Sequence, residues 1–386
     1  MRVTQNMMSN SIILHLQRQN QLLYALQTKI ATQRKLNKTS DDPRGMAKVL
    51  DYRSQLAVID QYQNNIINGK MRIESNELTL EAISDLIQVA RGLGQQYADE
   101  NIPAAQKQMA AQEVDEIYAQ IVSLANTKFG NDYIFSGHQT DTPPFGNHVE
   151  ITGGVPADLT FGLSADATDV IIEIRDQDDT LVRTINLGDG FTPGSGGTDG
   201  INTVAWDGLD DGGVALTDGG YTFTVTARDG ANPVQNYVTY NGDAGQLPIV
   251  IGENLEVDID MDGRNYFSPA GGVNLFETLQ DIVQGLNNPD IEAGSRQILA
   301  AIDTLDQASH QINTKRSEFS PKLYRLEQAG NHWTNFSSKI DMAITKIEEA
   351  DVTRAVIELR TLELAYESTI ATAARMIQPG LVNFLK

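Results

Sequence analysis

The sequence contains no cysteine and no long apolar run. Its 386 residues therefore cannot form disulfides, thiolate zinc sites or a cysteine nucleophile. The longest apolar runs, such as residues 12–14 and 249–251, are far shorter than the roughly 20 residues that span a bilayer. The first residues do not lead into the apolar stretch of a secretory signal. We therefore expect neither a membrane anchor nor a cleaved signal peptide.

Basic residues are few, and they are fewest in residues 141–270. The chain has 51 acidic and 29 basic side chains and a net charge of -22. Residues 141–270 hold 22 acidic residues, four arginines, no lysine and 20 of the 32 glycines. Nucleic acids and anionic membranes require clustered Lys and Arg, so neither is expected as a partner. The uneven composition indicates two different structural parts in one chain.

Motifs that carry catalysis are also missing. The five histidines lie in separate segments without the i, i+4 spacing of a zinc helix. Neither a phosphate-binding glycine loop with its lysine nor a nucleophile elbow occurs. The sequence therefore predicts a non-enzymatic protein without a cofactor.

One motif is compatible with a metal ion. Asp258, Asp260 and Asp262, followed by Gly263, have the opening spacing of a calcium loop. The glutamate expected at position 12 of such a loop is replaced by Pro269. We therefore favour a β-hairpin with its turn at Asp262-Gly263, and keep the three aspartates as weak metal candidates.

Both outer thirds of the chain have the seven-residue apolar period of coiled-coil helices. A second helix is expected from about Ile102-Pro103 to Lys128, and residues 298–347 repeat the pattern. Ser320-Pro321 interrupts this last stretch, which we interpret as a kink in a continuous rod rather than a helix start. The first and longest stripe comprises Ile59, Tyr62, Ile66, Gly69, Ile73, Asn76, Leu80, Ile83, Ile87, Ala90, Gly94 and Tyr97.

The two chain ends are amphipathic as well. Residues 12–36 and 352–384 have sustained apolar stripes, although chain ends usually fray unless they dock on something. These stripes indicate packing against neighbouring copies, or alternatively packing of the two ends within one subunit. The residues predicted to form the assembly interface are Leu16, Leu23, Leu26 and Ile30 at one end, and Val356, Leu359, Tyr366, Ile370 and Ile377 at the other.

The middle of the chain alternates with period two. Segments 170–175, 180–185 and 221–227 read as strands, separated by Asp-Gly and Gly-Gly turns. The pattern predicts an antiparallel sandwich at about 155–232, followed by further strands to about residue 259.

Two patches resemble bacterial flagellins and their junction proteins. The first is Asn37–Gly45, directly after the amino-terminal helix, and the second is Ile347–Val352. Physically, the first patch breaks one helix and restarts the next, with Ser40 or Asp41 as the expected N-cap. The restart signature comprises Ser40, Asp41, Asp42, Pro43 and Gly45.

Other patches narrow the resemblance. Asn131–Gly137 and Thr140–Phe145 are similar to the hook-associated protein 3 family, as are Tyr240–Asp243 and Gly263–Phe267. Residues 182–225 instead resemble the immunoglobulin-like domain of flagellar hook-capping proteins, placed as an insertion.

The resemblance implies an α+β multidomain fold. We expect a long antiparallel coiled-coil helical bundle from both termini, plus a central all-β immunoglobulin-like sandwich. The expected domains are 1–44 (assembly helix), 45–140 (helical rod), 141–270 (outer β region with its insertion), 271–350 (returning rod) and 351–386 (second assembly helix).

The resemblance also implies a function. The chain is expected to join hook to filament as copies in a ring, with a hook-associated protein on the hook side. Flagellin or a second junction protein would follow on the filament side. An export chaperone and the flagellar type III channel would deliver the chain to the extracellular flagellum. Flagellin itself, or an adhesin-like protein whose acidic β-domain binds calcium or glycan, are the alternatives.

Overall fold

The computed structural model describes residues 5–187, 200–230 and 232–382, without the side chains of 5–9, 232, 260 and 375–382. Contacts divide the chain into two units, Met1–Gln63 with Gly330–Lys386, and Asn64–Ala329. Within the described ranges, no helix has the length and apolar character needed to cross a membrane. The helices are α1 (Gln5–Thr32), α2 (Pro43–Tyr97), α3 (Ala104–Ala125), α4 (Arg264–Phe267), α5 (Leu275–Asn287), α6 (Ile291–Ser317), α7 (Phe319–Glu348) and α8 (Val352–Val382).

The apolar stripe predicted along α2 is buried in the structure. Glycines at two of its positions allow close approach, since a Cβ on Gly94 would lie 3.3 Å from Ile302 Cδ1 of α6. On Gly69 it would lie 3.6 Å from Leu326 Cδ1 of α7. The predicted heptad is therefore confirmed as a packing seam. Its fully buried members are Ile73, Asn76, Leu80, Ile83, Ile87 and Ala90.

The break between α6 and α7 has features of both a helix start and a kink at Pro321. A new helix begins at Phe319, so Pro321 lies in a first turn, where its missing N–H is tolerated. The intervening Glu318 nevertheless keeps helical backbone angles (φ −72°, ψ −16°). In the unit of residues 64–329, α6 and then α7 run antiparallel to α2. The rod is thus interrupted by a helix start, not merely kinked.

Residues 1–63 and 330–386 form a helical unit in which α1 packs against α8. Backbone hydrogen bonds join the segment after α1 to the segment before α8. Lys35 N donates to Glu348 O at 2.7 Å, and Ala350 N donates to Gln33 O at 3.0 Å. Because the two breaks pair antiparallel, the terminal helices are held side by side.

The middle of the chain forms the expected sandwich. One sheet has the order β4-β3-β9-β6-β7, with β10 also paired to β9, and the facing sheet has the order β11-β5-β8. Trp206 packs edge-on against Tyr221 inside it, with ring centroids 5.6 Å apart. Its strands are β3 (His148–Thr152), β4 (Val155–Pro156), β5 (Leu159–Leu163), β6 (Asp169–Arg175), β7 (Leu181–Asn186), β8 (Ile201–Val204), β9 (Gly219–Asp229), β10 (Asn232–Val234) and β11 (Asn236–Tyr237).

Side-chain hydrogen bonds fix the sandwich to the helices of its own unit. The buried Tyr118 hydroxyl of α3 accepts a hydrogen bond from Val238 N at 2.9 Å. Gln284 of α5 accepts one from Gln235 N at 3.1 Å and donates one to Pro233 O at 3.2 Å. The insertion is therefore anchored directly beyond its last strand, which restricts its movement on the helices.

Two short hairpins complete the β structure. They are β1 (Lys128–Phe129) with β2 (Asp132–Tyr133), and β12 (Gln246–Gly252) with β13 (Leu255–Asp260). Val257, Ile259 and Met261 are buried, as their alternation predicted. The predicted turn position is wrong, because the chain reverses around Asn254 in left-handed conformation (φ 58°). The Asp262-Gly263 step instead leads into α4.

The close approach of α2 to α6 provides a matched test. Gly94→Leu should lower the free energy of unfolding by about 1–3 kcal/mol, because the added side chain overpacks Ile302. Gly92, two residues away, faces open space. Gly92→Leu should therefore raise stability by a few tenths of a kcal/mol through helix propensity. Urea denaturation of both variants measures the difference, and equal effects would contradict the seam.

Candidate assembly surface

The loop between α1 and α2 is organised by two neighbouring aspartates. Asp41 Oδ2 accepts hydrogen bonds from Asn37 N at 2.9 Å and Lys38 N at 2.8 Å. These bonds lower the pKa of the Asp41 carboxyl. Asp42 Oδ1 accepts from Arg44 N at 3.1 Å and Gly45 N at 3.0 Å, which makes Asp42 the N-cap of α2.

The sequence interpretation of this cap needs correction. Neither Ser40 nor Asp41 caps α2, because Asp41 is used one turn earlier to close the loop. Pro43 takes the first helical position, which suits its fixed φ. A Cβ on Gly45 would lie 2.5 Å from Asp42 Oδ2, so the cap requires a residue without a side chain there.

Glu348 lies where the amino-terminal and carboxyl-terminal patches meet. Its carboxylate receives Arg53 Nη2 at 2.7 Å and lies 3.6 Å from Arg34 Nε. The Glu348 side chain is 8% exposed, whereas both arginines are about half exposed. Glu348 of the carboxyl-terminal patch therefore contacts two arginines that flank the amino-terminal patch on either side, and we call this contact the Glu348 node (Arg34, Arg53 and Glu348).

The terminal helices bury one face against each other. The Gln19 amide of α1 donates to the Thr369 hydroxyl of α8 at 3.4 Å. Of the nine residues predicted to form the assembly interface, six are half-buried in this helical unit, while Val356 and Ile370 are exposed and the Ile377 side chain lies outside the described residues. The six half-buried residues are Leu16, Leu23, Leu26, Ile30, Leu359 and Tyr366.

Other large apolar side chains of the same helices remain exposed. Monomeric proteins usually expose large apolar side chains singly, so several of them on two neighbouring helices indicate a contact surface. Most of these residues are absent from the set predicted from the sequence, although the seven-residue spacing of Ile357 and Leu364 was a readable signal. The outward residues are Ile13 (52% exposed), Leu14 (66%), Leu22 (51%) and Tyr24 (70%) on α1, and Val356 (36%), Ile357 (63%), Leu364 (68%) and Ile370 (45%) on α8.

A groove of about 920 Å³ lies along α1 and the loop that follows it. Leu22, Tyr24 and Leu26 supply apolar lining, while Lys29 and Lys38 are among its basic residues. Residues 1–38 contain six basic and no acidic side chains, whereas residues 348–374 contain six acidic and two basic ones. The two ends of the chain thus carry opposite charge.

The patches that resemble the hook-associated protein 3 family contact each other within the unit of residues 64–329. Phe135 packs on Tyr266 and Phe267, each with ring centroids 5.3 Å apart. Phe145 lies 5.2 Å from Tyr240 and 5.3 Å from Phe267. The backbone joins the same patches, since Gly137 N donates to Met261 O and Gly263 N donates to Phe135 O. We call this the aromatic cluster (Phe135, Phe145, Tyr240, Tyr266 and Phe267).

Of the three weak metal candidates, the structure describes the side chains of Asp258 and Asp262. Asp262 is buried and receives the guanidinium of Arg264 at 3.0 Å through both Nε and Nη2. Asp258 lies within β13, opposite Pro248, and the Asp260 side chain lies outside the described residues. Across the described ranges, no group of three or more His, Asp or Glu residues is placed to hold a metal.

A cavity of about 700 Å³ lies beside the sandwich, between α5 and the segments that follow β11. Thr160, Tyr240 and Arg264 contribute to its wall, and Glu277 and Asp281 line it from α5. Burial raises the pKa of the Asp281 carboxyl to about 7. The protonation of Asp281 therefore changes near neutrality.

Comparison with protein families gives three matches. Residues 3–140 match the bacterial flagellin N-terminal helical region, and residues 302–385 match the flagellin C-terminal helical region. Residues 146–231 match the FlgD Ig-like domain. The two flagellin regions together cover more than half of the chain and contain α1, the Glu348 node and α8. A search of curated proteins finds no match.

Solved structures are similar to parts or most of this chain at low sequence identity. A Vibrio parahaemolyticus protein described as a flagellar hook-associated protein is 14% identical, with 80% of this chain and 100% of that chain covered and a TM-score of 0.53. Bacillus cereus FlgL is 16% identical over 78% of this chain and 99% of its own, with a TM-score of 0.45. Xanthomonas campestris FlgD is 26% identical over 25% of this chain and 64% of its own, with a TM-score of 0.21.

The Glu348 node can be tested with adjacent glutamates. Glu348→Gln should lower the free energy of unfolding by about 1–2 kcal/mol, because the buried carboxylate that faces Arg34 and Arg53 becomes a neutral amide. Glu349→Gln changes an exposed neighbour and should have an effect within about 0.5 kcal/mol. Thermal unfolding followed by circular dichroism measures both. Equal behaviour of the two variants would mean that the node contributes nothing to stability.

Asp281 predicts a pH dependence of stability. Its pKa rises from 3.8 to about 7 on folding, so between these values the folded chain binds more protons than the unfolded chain. Stability therefore falls as pH rises from 4 to 7 and stays reduced above 7. Asp281→Asn should abolish this loss, giving a gain of about 2–4 kcal/mol at pH 8 and little change at pH 4. The exposed Asp303→Asn is the control, and a pH-independent effect of Asp281→Asn would contradict the assignment.

Proposed function

The chain belongs to the bacterial flagellin family, and on this basis we propose that it is a structural subunit of the flagellum that joins the hook to the filament. The observation that carries the proposal is the pair of outward apolar faces on α1 and α8, within the two regions that match flagellin. After the helices have packed on each other, eight large apolar side chains among the described residues of α1 and α8 remain exposed. Burial of such side chains between copies contributes about 1.5–3 kcal/mol for each one fully buried.

The aromatic cluster favours a junction subunit over the filament subunit itself. The patches that build it are those that resemble hook-associated protein 3. The Vibrio parahaemolyticus protein that shares the fold is likewise described as a flagellar hook-associated protein. At 14% identity this likeness concerns the fold, so the assignment to the junction depends on the patches and is a proposal.

Copies of this chain are the first partners we propose. An outward helix face of one subunit would contact the α1 side of the next, where the basic character of residues 1–38 attracts the acidic residues 348–374. A hook-associated protein on the hook side, and flagellin or a second junction protein on the filament side, would complete the ring's contacts. We also propose export through the flagellar type III channel with a chaperone.

The inserted sandwich would face outward in the ring. Its segment, residues 141–270, carries 22 acidic and four basic side chains. Such a charge disfavours close packing of identical copies and favours solvent exposure. The near-neutral helical remainder can pack with less electrostatic repulsion.

The proposal predicts a selective loss of assembly. Leu14→Gln combined with Leu364→Gln should leave the helical content and melting temperature of the monomer nearly unchanged, because both side chains are largely exposed. Association between copies should weaken at least about tenfold, since fully burying a leucine side chain contributes about 1.5–3 kcal/mol. Light scattering of the purified chain and incorporation onto isolated hooks measure the two effects.

Matched controls separate the surface from a general effect of polarity. Leu299→Gln changes an equally exposed leucine on α6, outside the terminal helices, and should assemble normally. A deletion strain tests the role itself: a junction subunit predicts monomeric flagellin leaking into the medium. Loss of the main filament protein would instead identify the chain as the filament subunit, and normal filaments would contradict both.

A further inference from the structure

Two polar side chains on α2 are buried with unused hydrogen-bonding atoms. Arg72 is 7% exposed and Asn76 is fully buried. The Nε and Nη2 atoms of Arg72, and both side-chain amide atoms of Asn76, have no hydrogen-bond partner within the protein. Because buried polar atoms are almost always satisfied, four such atoms one helical turn apart require an explanation.

Protein neighbours supply only part of what Arg72 needs. Its Nη1 lies 3.6 Å from Asp132 Oδ2 in the β1–β2 hairpin, and this carboxylate is 47% exposed. Burial lowers the pKa of the Arg72 guanidinium, and Asp132 partly opposes that shift. The Nε–Nη2 edge, which is the edge that usually holds a pair of acceptor oxygens, therefore points at none within the described protein.

The position of Asn76 coincides with the break between α6 and α7. Arg316 of α6 holds the adjacent Glu77 through Nη2 at 2.8 Å. Gly69, two turns earlier on α2, faces Leu326 of α7. Asn76 thus lies between these contacts, opposite the interruption. There the Ser317 carbonyl cannot receive the regular i+4 bond, because Pro321 has no N–H.

We propose that Arg72 and Asn76 bind internal water molecules that bridge the two side chains beneath the α6–α7 break. Water fits the donor set, because it can accept from the Arg72 edge and the Asn76 amide while donating to the Asn76 carbonyl. A buried water typically makes about three hydrogen bonds to polar groups that would otherwise be unsatisfied. An apolar ligand would leave all four atoms unpaired.

The water bridge would explain why a polar residue, Asn76, occupies a seam that is otherwise apolar. Isoleucine or leucine occupies the neighbouring seam positions Ile73, Leu80 and Ile83. A lone buried asparagine in such a seam costs stability but fixes register. Here the bridged pair would also lie opposite the helix start, where the partner helix α2 is continuous.

A double-mutant cycle on the full-length chain tests the bridge. Asn76→Leu should increase the unfolding equilibrium constant about tenfold or more, because it removes water ligands and leaves the Arg72 edge unpaired. Arg72→Met should act in the same direction. The double variant should lose clearly less than the sum of the two, since it leaves no unsatisfied group behind. If no water is bound, each single change instead removes an unsatisfied group and raises the urea midpoint, which would overturn the proposal.

Direct observation of the bound water tests the proposal even if a variant fails to fold. A crystal structure of the unmodified chain at about 2 Å should show solvent density within hydrogen-bonding distance of Arg72 and Asn76. A bromide soak that gives anomalous signal at this density would assign an anion and overturn the proposal, as would side chains re-paired within the protein. Thr79→Val is the matched control for the cycle. Its buried hydroxyl already donates to Ser75 O at 2.9 Å, so its effect should not depend on Arg72.

Discussion

The seam along α2 is the constraint on which the unit of residues 64–329 depends. From Ile66 to Gly94 the helix presents one narrow apolar stripe, and α6 and α7 follow that stripe in succession. Gly94 lets α2 and α6 approach closely, so a side chain at this position would have to displace Ile302. Within this unit, Arg91 with Asp306 and Glu77 with Arg316 lie along the flank and fix the antiparallel register. The hairpins and the sandwich are then attached to helices that are already in place.

The terminal helices α1 and α8 are packed differently from the helices of the seam. One face of α1 is used against α8, which leaves each helix with a second apolar face and no further partner among the described residues. A helix that is apolar on two faces is too apolar for a monomer surface, but it suits a subunit that is buried on both sides after assembly. The Glu348 node fixes the arrangement of α1 and α8 within one chain. It joins the segment that follows α1 to the segment that precedes α8, so the two outward faces are presented together.

Sequence periodicity predicted the helices and most strands, because each has a regular burial pattern of its own. The α2 stripe and the strands at 170–175 and 221–227 needed no tertiary information. The N-cap could not be predicted, since Ser40, Asp41 and Asp42 are all good caps and only the closed loop decides among them. The turn at Asp262-Gly263 failed for a related reason: Arg264 and the aromatic cluster draw Asp262 into the start of α4. The inward and outward faces of α1 and α8 were equally hidden, because both faces are apolar and the partner helix determines which one is buried.

The acidic excess of the middle segment has a local physical cause. Of its 22 acidic residues, 18 are aspartate, and a solubility role would not by itself prefer aspartate over glutamate so strongly. Aspartate is short enough to accept hydrogen bonds from backbone N–H groups a few residues away, which glutamate does poorly in tight turns. Asp176 accepts from Asp178 N and Thr180 N, and Asp210 accepts from Val214 N. Across strands, Asp211 accepts from Thr184 N, where it occupies the free edge of β7, and Asp218 accepts from Gly153 N and Gly154 N. Carboxylates committed to the backbone in this way are effective turn formers. Turn closure by aspartate therefore accounts for part of the charge of the sandwich, and the outward position proposed above is where that charge would be tolerated.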